Sequence, residues 1–227
     1  MAAMMGTGAL ALWIDVDPAL DRETDAWYIE EHMPERIDIG GYRRARRYQA
    51  MEGAPRYLTL FEADTPDALA SPGYLRLVGK ISEQSKRIRA GFSNVARNTF
   101  RVRDTHGRGL GAVAASLRLR QHDGKNTAAA HAWLEERLRA AMTQHAIVGA
   151  HSLEAAPHVR ERMDAVRVTG VGDAKVEHVV LIEATRADDL RTLRADLFTT
   201  EALAQGGWTE DAYGLYALLY EVSEPGR

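Results

Sequence analysis

Cysteine is absent from the 227 residues, which removes disulfides, thiolate metal sites and thiol nucleophiles together. Basic excess is missing too. The formal net charge is -3, and a division at Arg108 leaves 16 basic against 15 acidic residues before it and 13 against 17 after it. Neither half has the charge of a nucleic-acid binder. The opening run MAAMMGTGALALWIDVD carries no basic residue ahead of its apolar part and is closed by Asp15 and Asp17. It is a poor signal peptide and too short to span a bilayer, so a soluble cytoplasmic protein with neither nucleic-acid nor membrane partner is expected.

Nucleotide motifs are lacking as well. GTGAL at residues 6–10 and GRGLG at 107–111 have neither the strand before nor the helix after that a phosphate-binding turn requires, and no Gly-x-Ser-x-Gly occurs. The eight histidines form no His-Glu-x-x-His or comparable ligand spacing: His106 and His122 fall in expected loops, His131 and His145 on a helical stretch, and His151, His158 and His178 near strands. No metal is expected.

What is present is ordinary globular composition, 45% apolar and 27% charged, in a chain long enough for one large domain or two of about 110 residues. Periodicity favours two. In the first half, ALALWIDV reads as a strand, residues 24–37 as a helix ended by Gly40 and Gly41, and YRRARRYQAM and PRYLTLFEAD as a hairpin turning at 52–55. A helical region broken near Pro72 resumes through SEQSKRIRAGF, and NTFRVR closes the half. The second half repeats the order with strands at GAVAASLRLR, AIVGAHSLEAA, VEHVVLIEAT and YGLYALLYEV and helices at 128–145 and 186–204. A local echo, YLTLFEADTPDAL against HVVLIEATRADDL, marks corresponding strands.

Each half is thus β-α-β-β-α-β, a ferredoxin-like α+β unit whose four-stranded antiparallel sheet has helices on one face and needs cover on the other. Two units in one chain supply that cover. The expected fold is a tandem repeat, residues 1–106 and 107–227 with a boundary near THGRG (105–109), whose sheets pack face to face as an intramolecular barrel with the helices outside. Either a monomer or a homodimer is compatible with this plan.

These residues bring a resemblance into view. The aromatic-rich first helix, His32-Met33-Pro34, the pair Gly40-Gly41, the strand YRRARRY, and the later YLTLFEADTPDALASPGYL and NTFRVR resemble an EthD-like member of the dimeric α/β-barrel superfamily. That superfamily includes isomerases, cyclases, cofactor-free monooxygenases and haem proteins. The resemblance implies a small-molecule enzyme and a functional histidine at position 32.

Helical spacing places Tyr28, His32 and Glu35 on one face and Trp27 and Glu31 on the neighbouring row. Pro34 removes an amide donor and is expected to bend or end the helix just after His32. An imidazole there, facing a space between helix and sheet, can exchange a proton near neutral pH; its alternative is to cap the helix end or bond a backbone carbonyl. Strand alternation sends Tyr42, Arg44, Arg46 and Tyr48 to one face and Arg43, Ala45 and Arg47 to the other, which suits ion pairs or a solvated edge strand. An arginine entering the pocket would hold a carboxylate or steady an enolate or phenolate oxygen.

The expected catalytic residues are His32 and Tyr28, with Trp27, Arg47, Tyr48 and Tyr57 binding an aromatic, polyketide-like or cyclic ketone compound in cofactor-independent proton-transfer chemistry. Haem binding, cofactor-free monooxygenation and a non-catalytic ligand-binding role are the alternatives. In the second half, the position corresponding to His32 is near Leu138, with no histidine-proline pair.

Overall fold

Burial along the strands decides the architecture, because runs such as YLTLFEA and HVVLIEA are buried at every position and must be covered on both faces. The computed structural model, which describes residues 4–123, 126–167 and 173–224, satisfies this by closing eight antiparallel strands into one barrel with helices around it. The first four strands are β1 (Gly8–Val16), β2 (Tyr42–Gly53), β3 (Tyr57–Ala63) and β4 (Phe92–Gly107), and the last four are β5 (Val113–Gln121), β6 (Ile147–Ala155), β7 (His178–Ala184) and β8 (Trp208–Ser223). Within each set the pairing order is the same, β4-β1-β3-β2 and β8-β5-β7-β6.

The two sets are joined edge to edge. β2 pairs with β8 and β4 with β6, so the inner faces meet across a closed ring rather than as two stacked sheets. The length of β4 and β8, 16 residues each, makes this possible. β4 pairs with β1 as far as Arg101 and with β6 from Phe100 to Gly107, and β8 passes from β5 to β2 in the same way. Thr105 to Gly107 therefore belong to a strand, and residues 108–112 form the link between the sets. His106, expected in a loop, lies in β4 for the same reason. Both seams depend on a glycine of positive φ. A Cβ on Gly53 (φ +80) would sit 2.3 Å from the Tyr213 carbonyl oxygen, and one on Gly107 (φ +94) 2.1 Å from that of Val148.

The inner face is filled from both sets by Trp13, Tyr48, Leu58, Leu60, Phe100, Leu153, Val179, Leu181 and Tyr216. Arg46 lies among them, fully buried, with ion pairs of 2.7 Å to both Glu62 and Glu183 and a 2.7 Å hydrogen bond to the Tyr48 hydroxyl. Arg44 completes Glu62 at 2.9 Å. The two glutamates are those of the repeated Glu-Ala strand ends. A solvated edge is therefore ruled out for the arginine-rich strand: β2 has a partner on each side, and Arg44, Arg46 and Arg47 are buried. A bulge between Tyr42 and Arg44 also turns Tyr42 outward, where it stacks on Tyr74.

The outer face is covered by α1 (Asp21–Trp27), a π-helical turn (Tyr28–His32), α2 (Met33–Asp38), α3 (Pro72–Val78) and α4 (Glu83–Ala90) on one side, and by α5 (Thr127–Ala141), α7 (Ala187–Leu197) and α8 (Thr200–Gln205) on the other. α6 (Pro157–Asp164) breaks the symmetry. It follows β6 in the second set, yet Val159 and Met163 pack into the outer core of the first. No helix of the described residues is long and apolar enough to cross a membrane.

Burial pushes the Glu183 carboxyl up, but Arg46 and the neighbouring His151 more than reverse this and hold it at about 2 rather than 4.5. A depressed carboxylate stabilises the fold fully above pH 4.5 and loses that contribution as pH falls through 2. Arg46→Met is expected to cost about 3–5 kcal/mol in denaturant unfolding, because two buried carboxylates lose their shared partner. Adding Glu62→Gln and Glu183→Gln should recover most of it and flatten acid unfolding between pH 4.5 and 2. An Arg46→Met protein of unchanged stability would show that the network does not hold the barrel.

Candidate active site between the first helix and the barrel

The helix over β1 and β3 does not stop at Pro34. It widens instead, as the Met33 amide donates to the Tyr28 carbonyl five residues back, and α2 then runs on to Asp38. The wide turn accommodates a proline that an α-helix would reject. It also changes which residues meet. Five residues along an α-helix turn by about 140° beyond a full revolution, yet the Trp27 and His32 rings meet with centroids 4.1 Å apart and planes tilted by 37°. Tyr28 meets the His32 ring edge-on at 5.0 Å and Phe61 of β3 does so at 6.0 Å. The helix is fixed from outside by Ser85 of α4, which accepts from Trp27 Nε1 at 3.0 Å and donates to Glu31 at 2.8 Å.

Beneath it lies a cavity of about 180 Å³. Leu10 and Leu12 of β1, Phe61, and Phe92 and Val95 of β4 form its floor; Trp27, Tyr28, His32 and Arg36 come from the helix, and Tyr74, Val78 and Arg89 from α3 and α4. Arg97 of β4 closes one end with Arg167 and Asp173, which both belong to the segment connecting β6 to β7. Backbone hydrogen bonds join Ala174, next to Asp173, to both Val95 and Arg97. Ion pairs of 2.6 and 3.2 Å join Arg97 to Asp164 and Asp173, and Arg167 adds 2.8 Å to Asp173. Burial, and then repulsion from Arg167, bring the Arg97 guanidinium down to about 10.

His32 is 7% exposed, and neither of its ring nitrogens has a hydrogen-bond partner among the described residues. Burial first, then the positive charges of Arg36, Arg89 and Arg47, hold its pKa well below 6.5. The imidazole is thus held neutral, with one ring nitrogen carrying hydrogen and the other open to accept a proton. Its backbone carbonyl accepts from Arg36 Nη1 at 2.7 Å. The helix-capping role considered for the ring is not what the geometry shows, since the helix continues past it. Tyr28 is fully buried and its hydroxyl has no partner among the described residues.

Of the residues expected to form a site, Trp27, Tyr28 and His32 line the cavity. Arg47 stands behind them, its guanidinium between the rings of Tyr28 (4.3 Å) and Tyr57 (4.2 Å) and bound to Asp25 at 2.8 Å. Tyr57 thus supports the wall without reaching the space. Tyr48 is not part of the group, because alternation along β2 points it into the barrel with Arg46. Arg36, Arg89, Arg97, Arg167 and Asp173 were missed. The excess length of residues 156–177, against 54–56 at the matching position of the first half, was the available signal for the last two.

No known family model matches the chain, and no curated relative does either. Solved structures do. An anthrone oxidase-like protein is 9% identical, with 100% of this chain and 97% of that one covered and a TM-score of 0.60. A candidate monooxygenase of Fusobacterium nucleatum is 8% identical over 99% and 98% (TM-score 0.58). A heme-binding protein of Thermus thermophilus is 11% identical over 95% and 92% (TM-score 0.56). The likeness runs over nearly the whole of each chain. At such identity the likeness concerns the fold alone.

In the second set the position over the barrel is filled differently. α5 buries Leu134 and Leu138, and His131, His178 and Trp208 cluster with centroids 4.8–5.4 Å apart. Ser152 Oγ and the His178 Nε2 are 2.8 Å apart. His145 lies beyond the end of α5, and His158 is in α6. No group of three or more potential metal-binding side chains occurs among the described residues.

Tyr28→Phe is expected to leave stability unchanged or to raise it by up to about 1 kcal/mol, since a buried hydroxyl without a partner is removed. Thermal unfolding measures this. A loss above about 1 kcal/mol would mean that the hydroxyl is satisfied in solution.

Proposed function

We propose that the cavity is the active site of a cofactor-independent enzyme that moves a proton on a compact aromatic or cyclic ketone compound. The observation that carries this reading is the buried, neutral imidazole of His32 facing an aromatic-walled space with arginines at its rim. His32 takes a proton from an acidic C–H or O–H of the bound ring; the electron pair left behind rests on the adjacent oxygen as an enolate or phenolate, which Arg36 is placed to stabilise. Tyr28 offers its hydroxyl to the same oxygen. Returning the proton at another carbon gives an isomerase, and loss of a leaving group gives a lyase or dehydratase.

The size of the space supports a single ring over a polyketide-like substrate, because a cavity of about 150 Å³ is filled by benzene. The same deprotonation is the first step open to a cofactor-free monooxygenase, and two similar structures are described in oxidative terms. Haem draws its support from similar solved structures, the heme-binding protein and chlorite dismutases. The cavity, about 180 Å³, is well below the roughly 300–1,000 Å³ usual for cofactors, and its walls are side chains packed ring to ring. The residues do not fit a porphyrin, and no step is assigned to one.

The recurring strand order supports a tandem, EthD-like arrangement of ferredoxin-like units, 1–106 and 107–227. In this reading a cytoplasmic monomer or homodimer carries one site in the first unit, roofed by a segment of the second.

Hydrogen–deuterium exchange on hydroxyaryl ketones and cyclic 1,3-diketones in D₂O, followed by NMR, tests the reaction. The full-length protein should accelerate exchange of at least one such compound, and His32→Gln should lower that rate by about 100-fold or more while circular dichroism stays native. Equal exchange by both proteins would remove His32 from the chemistry.

A further inference from the structure

Resting on that reading of the cavity, we propose that Arg47 is a positioning residue of the site: from behind the wall it holds the Tyr28 ring so that the Tyr28 hydroxyl meets the oxygen of the bound compound. Arg47 does not line the cavity. It is fully buried, and the proton transfer assigned to His32 makes no direct use of it.

A guanidinium so placed needs a reason. Arg46, its neighbour in β2, is matched by two buried carboxylates. Arg47 has Asp25, whose carboxylate is 2.8 Å from Nε on a side chain 34% exposed. Its Nη1 donates to Thr59 Oγ1 at 3.2 Å, and Nη2 has no hydrogen-bond partner among the described residues. For packing alone, an apolar side chain of similar volume serves a buried position as well or better. It cannot supply a flat cation between two rings, 4.3 Å from the centre of Tyr28 and 4.2 Å from that of Tyr57.

Tyr28 is the side chain that such a surface serves. It opens the π-helical turn, where the helix departs from regular spacing, and its hydroxyl has no partner among the described residues to fix the phenol. Its orientation therefore comes from the groups around the ring. Trp27 and His32 meet it at 5.0 Å each, and both sit on the same irregular stretch of helix. Arg47 comes from the barrel instead, on a strand paired on both sides. With its edge pinned by Asp25 and Thr59, the plane it offers Tyr28 is fixed. Arg47 thus transfers the rigidity of the sheet to the hydroxyl, which needs no reorientation as charge develops on the substrate oxygen.

Two readouts on the full-length protein test this. Nuclear Overhauser contacts between the Tyr28 and His32 rings report the orientation with no substrate present, and they should weaken or vanish in Arg47→Met. Unchanged contacts overturn the proposal. The second readout is a double-mutant cycle on the exchange rate at about pH 8, where a histidine of pKa 6.5 or below is neutral. At that pH the charge of Arg47, which opposes protonation of His32 after those of Arg36 and Arg89, no longer alters the histidine. Arg47→Met should lower kcat by about 10-fold or more with KM changed by less than about 2-fold. In a Tyr28→Phe background the same substitution should lower kcat no further. An equal loss in both backgrounds overturns the proposal, since Arg47 would then act by a route other than the Tyr28 hydroxyl. If Arg47→Met does not fold by circular dichroism, Asp25→Asn, which frees one edge of the guanidinium, carries both readouts with changes in the same directions. The reaction is judged separately: absence of exchange by the unsubstituted protein would refute the proton transfer, and the Overhauser contacts would still decide whether Arg47 places Tyr28.

Discussion

Two lines of backbone hydrogen bonds, β2 to β8 and β4 to β6, are the constraint on which the rest of this molecule depends. A four-stranded sheet with helices on one side exposes an apolar face, and the chain meets this by joining the free edges of two such sheets. Closure removes both edges at once and creates an interior from which water is excluded. Only in that setting can Arg46 sit between Glu62 and Glu183 with no exposure to solvent. The ion pair is weak evidence for stability in itself, since desolvation offsets most of its attraction. Its role is better described as register: three charges from three strands fit together in one alignment only.

Closure also decides where the site lies. Because β4 passes from β1 to β6 without a break, the connection leaving β6 begins over β4, where the Ala156 amide donates to the Thr99 carbonyl, and not over its own sheet. α6 therefore covers the first set of strands, and Arg167 and Asp173 reach a cavity whose other walls belong to that set. The π-helical turn at Pro34 brings Trp27 against His32 from within. Burial and three nearby guanidiniums then keep the imidazole neutral. The same sequence features that locate the histidine also set its protonation state.

Much of the fold was legible because apolar and aromatic runs mark most of the strands, and the shared Glu-Ala ending pointed to strands in like positions of the two sets. That echo also marked the two glutamates that meet in the barrel, although their meeting could not be read from it. Arginine is so seldom fully buried that the strand YRRARRY suggested a charged edge, and only the partners Glu62, Glu183 and Asp25, distant in sequence, explain why three of its arginines are inside. Tyr42 escaped its expected face through a bulge, which leaves no trace in residue periodicity. His32, Tyr28 and Trp27 were accessible through helix spacing and the nearby proline. Arg89, Arg97, Arg167 and Asp173 were not, because nothing local in a sequence shows which remote segments converge on one space.

The claim at the centre of this account is that the space under His32 is where a small aromatic molecule is held. A crystal structure of the full-length protein soaked with 4-hydroxybenzoate tests it most directly. The account predicts the ring in the space lined by Trp27, Phe61 and Phe92, with its hydroxyl within hydrogen-bond distance of a His32 ring nitrogen. A ligand bound inside the barrel or along α5, with the space under His32 still empty of it, would contradict the account.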